Sequence, residues 1–366
     1  MPGVHLQRRV AELIQRAALI AVVCGLIPSM AGAQAAPQIP STVPEIWNEW
    51  CARCHARDGT GKVAQPTIKV VPMNFTECAI ASAEPDADWM AAIRHGGPAV
   101  GLSSQMPAFG EVLDDDRVIG LIAHIRRFCA ERNWPSGNLN FPRPIFTEKA
   151  FPENEVLLLP VVAHRTNRPD QAELRTVFER RLGRRAQLEF VLPFESVYIA
   201  DRKRGLGDVE LGVKYALNPQ ASGYLVSAGF DFLFPTGAES RAAGEFDPLF
   251  EPYVALATTL GETYLQAQLK LELPKPGSWR EKEVLYSVYV GRDTSSFPNT
   301  WTPGIEFTSE NYELALTPQI RKGLTKTGAL AASVGLRLPL NERVDQGIRL
   351  VGYLLWEYRE PVFAAR

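Results

Sequence analysis

The sequence has few of the residues that carry metal and redox chemistry: 366 residues include five cysteines, five histidines and five methionines. Beyond residue 131 it has no cysteine, no glycine-rich nucleotide fingerprint and one histidine, His164, so we predict no catalytic site there and assign His164 no role. The net charge of -2 gives no basic field for nucleic acid. A zinc site would need a second ligand pair, and the chain has no second pair of cysteines at a two-residue spacing.

The one pair of cysteines separated by two residues lies in Cys51-Ala52-Arg53-Cys54-His55. Two cysteines separated by two residues and followed at once by histidine are typical of covalent c-type haem attachment. Both thiols must reach the vinyl-derived carbons at one porphyrin edge, while the imidazole must reach the iron. We therefore predict Cys51 and Cys54 as thioether anchors of one haem c and His55 as the proximal iron ligand. A redox-active dithiol is the alternative, although such a pair usually begins a helix in a βαβ unit.

A haem iron of this type usually takes a second axial ligand, most often methionine in electron carriers. Met106 is the best candidate, because its proline- and glycine-containing loop, 105–110, can fold over the distal face. Met90 is predicted to lie in the core, His95 to cap a helix or contact a haem propionate, and His124 to face solvent. The candidates compared are Met73, Met90, His95, Met106 and His124.

Residues 1–33 have the features of an export signal: arginines come first, an apolar stretch follows at Ala17–Ile27, and Ala31-Gly32-Ala33 forms a cleavage site. We expect the mature protein to begin near Gln34 and Cys24 to be removed. A retained membrane anchor is the alternative, but the apolar stretch is shorter than the roughly 20 residues that cross a bilayer.

Cys78 and Cys129 remain after the haem pair and Cys24 are set aside. An exported protein folds in an oxidising compartment, where two remaining thiols tend to pair. Our hypothesis is a disulfide between Cys78 and Cys129 that ties a loop of the haem pocket to the last helix of the domain. Two buried free thiols are the alternative.

The stretch from Pro44 to Ala130 resembles the monohaem class I cytochromes c, in its attachment helix, its Met-Pro loop and its terminal helix with an acidic start. The resemblance implies a small helical bundle around one low-spin haem, thioethers at Cys51 and Cys54, axial His55 and Met106, and one-electron transfer. Ala56 stands where such domains often carry glycine, a departure for which we predict no cost.

Residues 132–154 are rich in proline and asparagine and are predicted to be a linker. Beyond them the pattern alternates with a period of two: in 262–273, apolar and polar residues take turns along the chain. Such alternation predicts strands at 172–182, 186–194, 208–217, 223–234, 250–260, 262–273, 283–292, 303–309, 312–320, 330–340 and 348–358.

Segments of about ten residues are long enough to cross a bilayer at a tilt, whereas strands of a soluble sandwich usually have five or six. Charged residues fall on the polar face, as a wet lumen permits. We predict an all-β domain at 155–366 that forms an antiparallel outer-membrane β-barrel of ten to twelve strands. Arg180 on the apolar face of its strand counts against this, and a soluble all-β module is the alternative. Aromatic residues expected near strand ends, as in an interfacial girdle, are Phe194, Tyr198, Tyr253, Tyr264, Tyr286, Trp301, Trp356 and Tyr358.

The runs 205–212 and 234–237 resemble a loosely defined group of bacterial outer-membrane transporter-like barrels, over about 155–360. This resemblance implies an outer-membrane location more than a substrate. It leaves open a transporter or channel with an accessory cytochrome.

The combined expectation is a multidomain protein: a small all-α monohaem cytochrome c domain (34–131) facing the periplasm, followed by the barrel. We expect one-electron transfer with periplasmic redox partner proteins and not catalysis, because two filled axial positions leave no site for substrate. A soluble periplasmic redox protein with a β binding domain, and a haem enzyme such as a peroxidase, are further alternatives.

Overall fold

The computed structural model describes residues 40–64, 67–130, 137–165, 170–197, 203–218, 223–237, 247–278, 280–295, 300–310, 313–341 and 347–358. The predicted export signal at 1–33 and the predicted girdle residue Tyr198 lie outside these ranges. Among the described helices, none has the length and apolar character needed to cross a membrane.

Four helices form the first domain within the described residues. A capping box of Thr42 and Glu45 starts the first, and Asp114 caps the last by accepting from the backbone N–H of Arg117 at 2.9 Å. The helices are α1 (Val43–Ile46, a π-helical part Trp47–Cys51, and Ala52–His55), α2 (Cys78–Ala83), α3 (Asp86–His95) and α4 (Asp115–Arg126).

The apolar sides of these helices meet in one core. Trp47 of α1 is 2% exposed and Val118 of α4 is 0% exposed, as expected for residues spaced to share one helix face. A disulfide joins Cys78 and Cys129, which confirms the predicted pairing. It ties the start of α2 to the segment that follows α4.

The second domain is built from strands. They are β1 (Glu155–His164), β2 (Gln171–Leu182), β3 (Ala186–Val197), β4 (Lys203–Leu206), β5 (Val209–Ala216), β6 (Tyr224–Phe234), β7 (Leu249–Leu260), β8 (Thr263–Pro274), β9 (Glu283–Gly291), β10 (Trp301–Glu310), β11 (Glu313–Gly323), β12 (Leu330–Pro339) and β13 (Ile348–Glu357).

Each strand pairs antiparallel with its neighbours, and β1 pairs with β13 from Glu155 opposite Glu357 to His164 opposite Ile348, which closes the sheet. β4 and β5 both pair with β3, one after the other, so together they fill one position of the ring. The result is a closed barrel of twelve strands, at the upper end of the predicted range. We call the end where β1 begins and β13 finishes the entry end, and the opposite end the far end.

The barrel has its polar residues inside and its apolar residues outside. Glu179 and Arg337 are 0% exposed, whereas Leu350 and Trp356 are 54% exposed. A soluble domain has the reverse arrangement, because burial of apolar surface drives its folding. A closed barrel with an apolar exterior instead satisfies every backbone group while facing lipid. The second domain is therefore an outer-membrane β-barrel, and the soluble all-β alternative is wrong.

Two residues predicted for the aromatic girdle lie elsewhere. Tyr253 is only 6% exposed, and the Tyr264 hydroxyl donates to Asp293 at 2.6 Å. Both side chains pack inside the barrel. Arg180 does lie on the outer face, as the alternation indicates, but it is two residues from the end of β2. A charge near a barrel rim costs far less than one at mid-depth.

The segment 137–154, which we call the plug, differs from the linker predicted at 132–154. Thr147, Lys149 and Phe151 are 2%, 2% and 0% exposed, because the plug enters the barrel at the entry end and packs against the inner wall. It therefore belongs to the barrel interior, and is not a solvated spacer.

Candidate functional site

The attachment residues lie at the end of α1. Cys51 closes its π-helical part, and Cys54 and His55 are in the last turn. Burial, and then the neighbouring Cys54, raise the pKa of the Cys51 thiol to about 12. A redox-active dithiol needs a lowered thiol pKa, so Cys51 has the wrong electrostatics for that role. Two half-buried thiols beside an imidazole fit the donor set of a c-type haem.

His55 packs between aromatic rings: its ring centroid lies 4.9 Å from that of Phe75 and 6.1 Å from that of Trp47. Burial lowers the pKa of the imidazole, against an opposing effect of the Met73 backbone. The side chain is thus kept neutral, the form that ligates metals. Its buried Nδ1 has no hydrogen-bond partner among the described residues. An imidazole held neutral in an apolar setting is suited to an axial position on iron.

Ala56, which follows His55, has a φ of 61° and a ψ of 157°. This region of backbone space is almost reserved for glycine and costs other residues about 1–3 kcal/mol. The prediction that alanine here carries no cost is therefore wrong. The turn lets the chain reverse, so that the N–H of Gly61 donates to the carbonyl of His55 at 2.9 Å.

Met106 lies half-buried in its loop and packs against the core cluster that Cys51 and Trp50 also contact. Its carbonyl accepts from the N–H of Gly97 at 3.0 Å, and its N–H donates to the carbonyl of Ser103 at 3.1 Å. A Cβ on Gly97 would lie 2.1 Å from the Ser103 carbonyl oxygen. The loop can therefore close this tightly only because a glycine stands there.

The other candidate ligands are placed differently. Met73 has its backbone beside the His55 imidazole, which puts this segment on the proximal side. Met90 packs against the core, as predicted, and His95 is exposed where α3 ends. His124 is half-buried: one face of its ring lies 5.6 Å from the ring of Trp47, and its Nδ1 lies 2.7 Å from the exposed Arg127 guanidinium. Burial and the charge of Arg127 lower its pKa.

The plug is held inside the barrel by ion pairs. Arg143 lies 2.7 Å from Glu179, 3.3 Å from Glu155 and 3.6 Å from Glu148. The Glu155 and Glu179 side chains are fully buried. A buried carboxylate without a partner is strongly destabilising, so the guanidinium of the plug satisfies charges that the barrel wall could not otherwise hold.

Lysines of both the plug and the barrel wall add to this network of ion pairs. Lys149 of the plug contacts Glu153 at 2.8 Å and Glu155 at 3.2 Å. Lys214 of β5 donates to Glu148 and to the carbonyl of Lys149, both at 2.7 Å. Cations and carboxylates of both the plug and the wall therefore take part in one network of buried ion pairs.

A second attachment lies across the lumen on β10. Glu306, 0% exposed, accepts from the N–H of Phe146 at 3.1 Å and from the N–H and hydroxyl of Thr147. Gln319 donates to the same carboxylate at 2.8 Å. One carboxylate thus satisfies two consecutive backbone donors of the plug, much as a helix cap does.

Neutral side chains of the wall complete the attachment. Gln266 donates to the carbonyl of Pro142 at 2.8 Å, Tyr353 to that of Arg143 at 2.7 Å and Ser227 to that of Ala150 at 2.5 Å. These residues belong to β8, β13 and β6. The plug is therefore bonded around the circumference of the lumen.

Among the described residues, Glu148, Glu179 and Glu189 bring three carboxylates within 4.8 Å of one another, an arrangement that could hold a cation. Two of them already pair with Arg143 and Lys214. Beyond the plug, at the far end, a cavity of about 280 Å³ remains. Its lining residues are Val161, Ala163, Arg165, Gln171, Glu173, Glu310 and Arg349.

The plug is also joined to the helical domain. Gly137 lies so close to α2 that a Cβ there would be 2.5 Å from the Ser82 carbonyl oxygen, and Asn140 donates to the carbonyl of Ala83 at 3.0 Å. Arg126 of α4 donates to Asp86 at 2.6 Å and covers the ring of Trp89 at 4.1 Å. The helical domain and the plug thus form one connected network.

Comparison with known proteins agrees with the helical domain. Residues 40–125 match the family model described as Cytochrome C oxidase, cbb3-type, subunit III. These residues are a cytochrome c domain. A domain of this type implies binding of haem c and haem-based electron transfer. The match ends before the plug and the barrel.

The chain is also similar to solved outer-membrane structures. One is an outer-membrane channel from Pseudomonas putida F1, with 17% identity and a TM-score of 0.43, covering 60% of this chain and 100% of that one. Another is the KdgM porin, with 9% identity and a TM-score of 0.40, covering 56% and 99%. A third is outer membrane phospholipase A from Escherichia coli, with 10% identity and a TM-score of 0.35, covering 60% and 94%. No curated protein sequence matches the chain.

Proposed function

We propose that this protein transfers single electrons through one covalently attached haem c, held at the outer membrane by a closed barrel. The observation that carries the proposal is the arrangement of Cys51, Cys54 and His55 in the last turns of α1, with half-buried side chains. Bound there, the haem supplies an Fe(II)/Fe(III) couple.

In this proposal Cys51 and Cys54 are the thioether anchors, His55 is the proximal ligand and Met106 is the distal ligand. Phe75, 7% exposed, and Trp47 pack beside His55 and would limit the access of water to a haem bound there. With His55 and Met106 both bound to the iron, oxidation and reduction would change little of the coordination, which suits electron transfer better than substrate chemistry.

We assign the barrel the role of an anchor. The plug fills its lumen through buried ion pairs and hydrogen bonds to β5, β6, β8, β10 and β13. A transporter or channel would require this network to break and the buried carboxylates to lose their partners. The filled lumen therefore favours an anchored electron carrier over the channel alternative.

The cytochrome domain belongs on the periplasmic side in this proposal. It precedes the entry end, which has the β2–β3 and β7–β8 connections of three and two residues, whereas the far end has the longest connection, the 14 residues between β6 and β7, beside one short turn between β10 and β11. The longer loops of outer-membrane barrels face outward. Its partners would be periplasmic redox proteins. One haem at this end cannot by itself span about 30 Å of hydrocarbon, so passage across the membrane would need further carriers.

The test is fractionation of membranes from cells that attach haem c, followed by haem-stained gels of heated and unheated samples. We expect an outer-membrane band that stains for haem and changes mobility on heating, and rapid one-electron reduction of the purified protein. His55→Ala should lose the low-spin spectrum, whereas the control His95→Ala should keep it. A wild-type protein without attached haem, or one that passes solute into liposomes, would contradict the proposal.

A further inference from the structure

We infer that Gln105 is a positioning residue that holds Met106 over the distal face of the haem, an inference that rests on the proposed function. Its side-chain amide makes two hydrogen bonds to a distant segment. Oε1 accepts from the N–H of Lys69 at 2.9 Å, and Nε2 donates to the carbonyl of Thr67 at 2.8 Å. These partners lie 36 and 38 residues away along the chain.

The two bonds join opposite sides of the site. The segment that begins at Thr67 continues to Met73, whose backbone lies beside His55, and to Phe75, which packs against the same imidazole. Gln105 precedes Met106 directly. The glutamine therefore connects the loop of the proposed distal ligand with the segment that supports the proximal ligand.

The remaining bonds of the loop lead elsewhere. Met106 bonds through its backbone to Gly97 and Ser103, and beyond it the N–H groups of Phe109 and Gly110 donate to the end of α3 at 2.9 and 3.1 Å. These contacts fix the loop against α3 and the turn after it. Among the hydrogen bonds of the described residues, the link from this loop to the proximal segment is the one that Gln105 provides.

Few other side chains could make this pair of bonds. One amide must accept from an N–H and donate to a carbonyl two residues away. Glutamate offers acceptors only, and would set a carboxylate against the Thr67 carbonyl; asparagine has the same groups but is one methylene shorter. Glutamine is therefore the side chain that suits both hydrogen bonds at position 105, although this side chain is exposed.

Loss of the link should let Met106 leave the iron more often. Loss of the two exposed hydrogen bonds weakens the hold on Met106, so we expect CO to bind the reduced Gln105→Ala protein roughly tenfold faster than wild type. The near-infrared absorption of thioether-ligated ferric haem should weaken, and the midpoint potential should fall. Gln105→Glu should change each quantity in the same direction and by less.

The experiment uses the full-length haem-loaded protein in detergent. Ser104→Ala, in the same exposed loop, is the matched control and should behave as wild type. Melting curves are recorded for every variant, and the ligand measurements are made well below the transition, so that general unfolding does not enter. If Gln105→Ala aggregates, Gln105→Glu retains the size and supplies the readout.

The outcomes separate this inference from the function beneath it. Faster CO binding and weaker near-infrared absorption in both Gln105 variants, with Ser104→Ala unchanged, would support the positioning role. Wild-type values in both variants would overturn it while leaving the electron-transfer proposal intact. Unchanged near-infrared absorption in Met106→Ala would instead show that Met106 is not the ligand, and the inference about Gln105 would fail with it.

Discussion

Asn138 and Asp86 are joined by two hydrogen bonds: Asn138 Nδ2 donates to Asp86 Oδ2 at 2.6 Å, and the N–H of Asp86 donates to Asn138 Oδ1 at 2.9 Å. Asn138 is the second residue of the plug, and Asp86 is the first residue of α3. Asp86 also accepts from Arg126 of α4 at 2.6 Å. The cytochrome domain is thereby attached to the barrel through side chains as well as through the chain itself.

Replacement of Asn138 should loosen this attachment. Asn138→Ala removes both hydrogen bonds and leaves the half-buried Asp86 with fewer partners, at a cost of about 1–3 kcal/mol. We expect faster proteolysis between α4 and the plug, with the haem spectrum unchanged. Asn48→Ala, an exposed asparagine on α1, serves as control. Equal proteolysis of the two variants would show that the pair does not restrain the domain.

The plug should keep the barrel closed to ions. In planar bilayers we expect the wild-type protein to show no sustained conductance. Arg143→Ala leaves the buried Glu179 without its cation, which costs about 3–5 kcal/mol, and should produce frequent open events. Arg180→Ala, which removes an arginine from the outer face, is the control. Large steady conductance in the wild type would restore the channel alternative.

Ala56 should be a site of easy stabilisation. Ala56→Gly relieves the positive φ, and the gain exceeds the added flexibility of the unfolded chain, so we expect a net stabilisation of about 1 kcal/mol. Ala92→Gly, within α3, should instead destabilise by a similar amount because glycine is a poor helix former. Thermal unfolding followed through the haem absorption measures both. A destabilised Ala56→Gly protein would contradict the backbone strain that we infer at Ala56.

Asp88 should make the stability of the cytochrome domain depend on pH. Burial, and then the charges of Glu84 and Glu357, raise the pKa of this carboxyl to about 8 from an ordinary value of 3.8. The folded state thus binds a proton more readily than the unfolded state, so this contribution is greatest below pH 3.8 and is lost as pH rises to about 8. Melting temperatures across this range should fall less in Asp88→Asn than in wild type, while Asp116→Asn, on exposed α4 surface, should follow wild type.

The haem motif and most strands could be predicted because their patterns follow from chemistry and geometry. The spacing of Cys51 and Cys54 is set by the porphyrin edge, and the alternation in β8 is set by lipid on one side and polar groups on the other. Both constraints act on neighbouring residues, so both are visible in the sequence.

β1 and the plug could not be predicted because each depends on the other. Leu157 is buried inside the barrel in a cluster with Ile145 of the plug, and Leu159 and Val161 pack against the same cluster. This gives β1 a nearly continuous apolar run in place of alternation. The plug has the proline and asparagine of a linker, yet it carries Phe141, Phe146 and Phe151, and three such residues are unusual in a solvated spacer. These three aromatic residues were the feature of the sequence that could have indicated a buried plug.

A barrel filled by its own chain has a consequence for the cell that carries it. An outer membrane excludes toxic solutes only as long as its proteins leave few holes, and each open pore adds to the leak. Because the lumen here is occupied from Pro142 to Ala150, additional copies would add redox capacity without adding permeability.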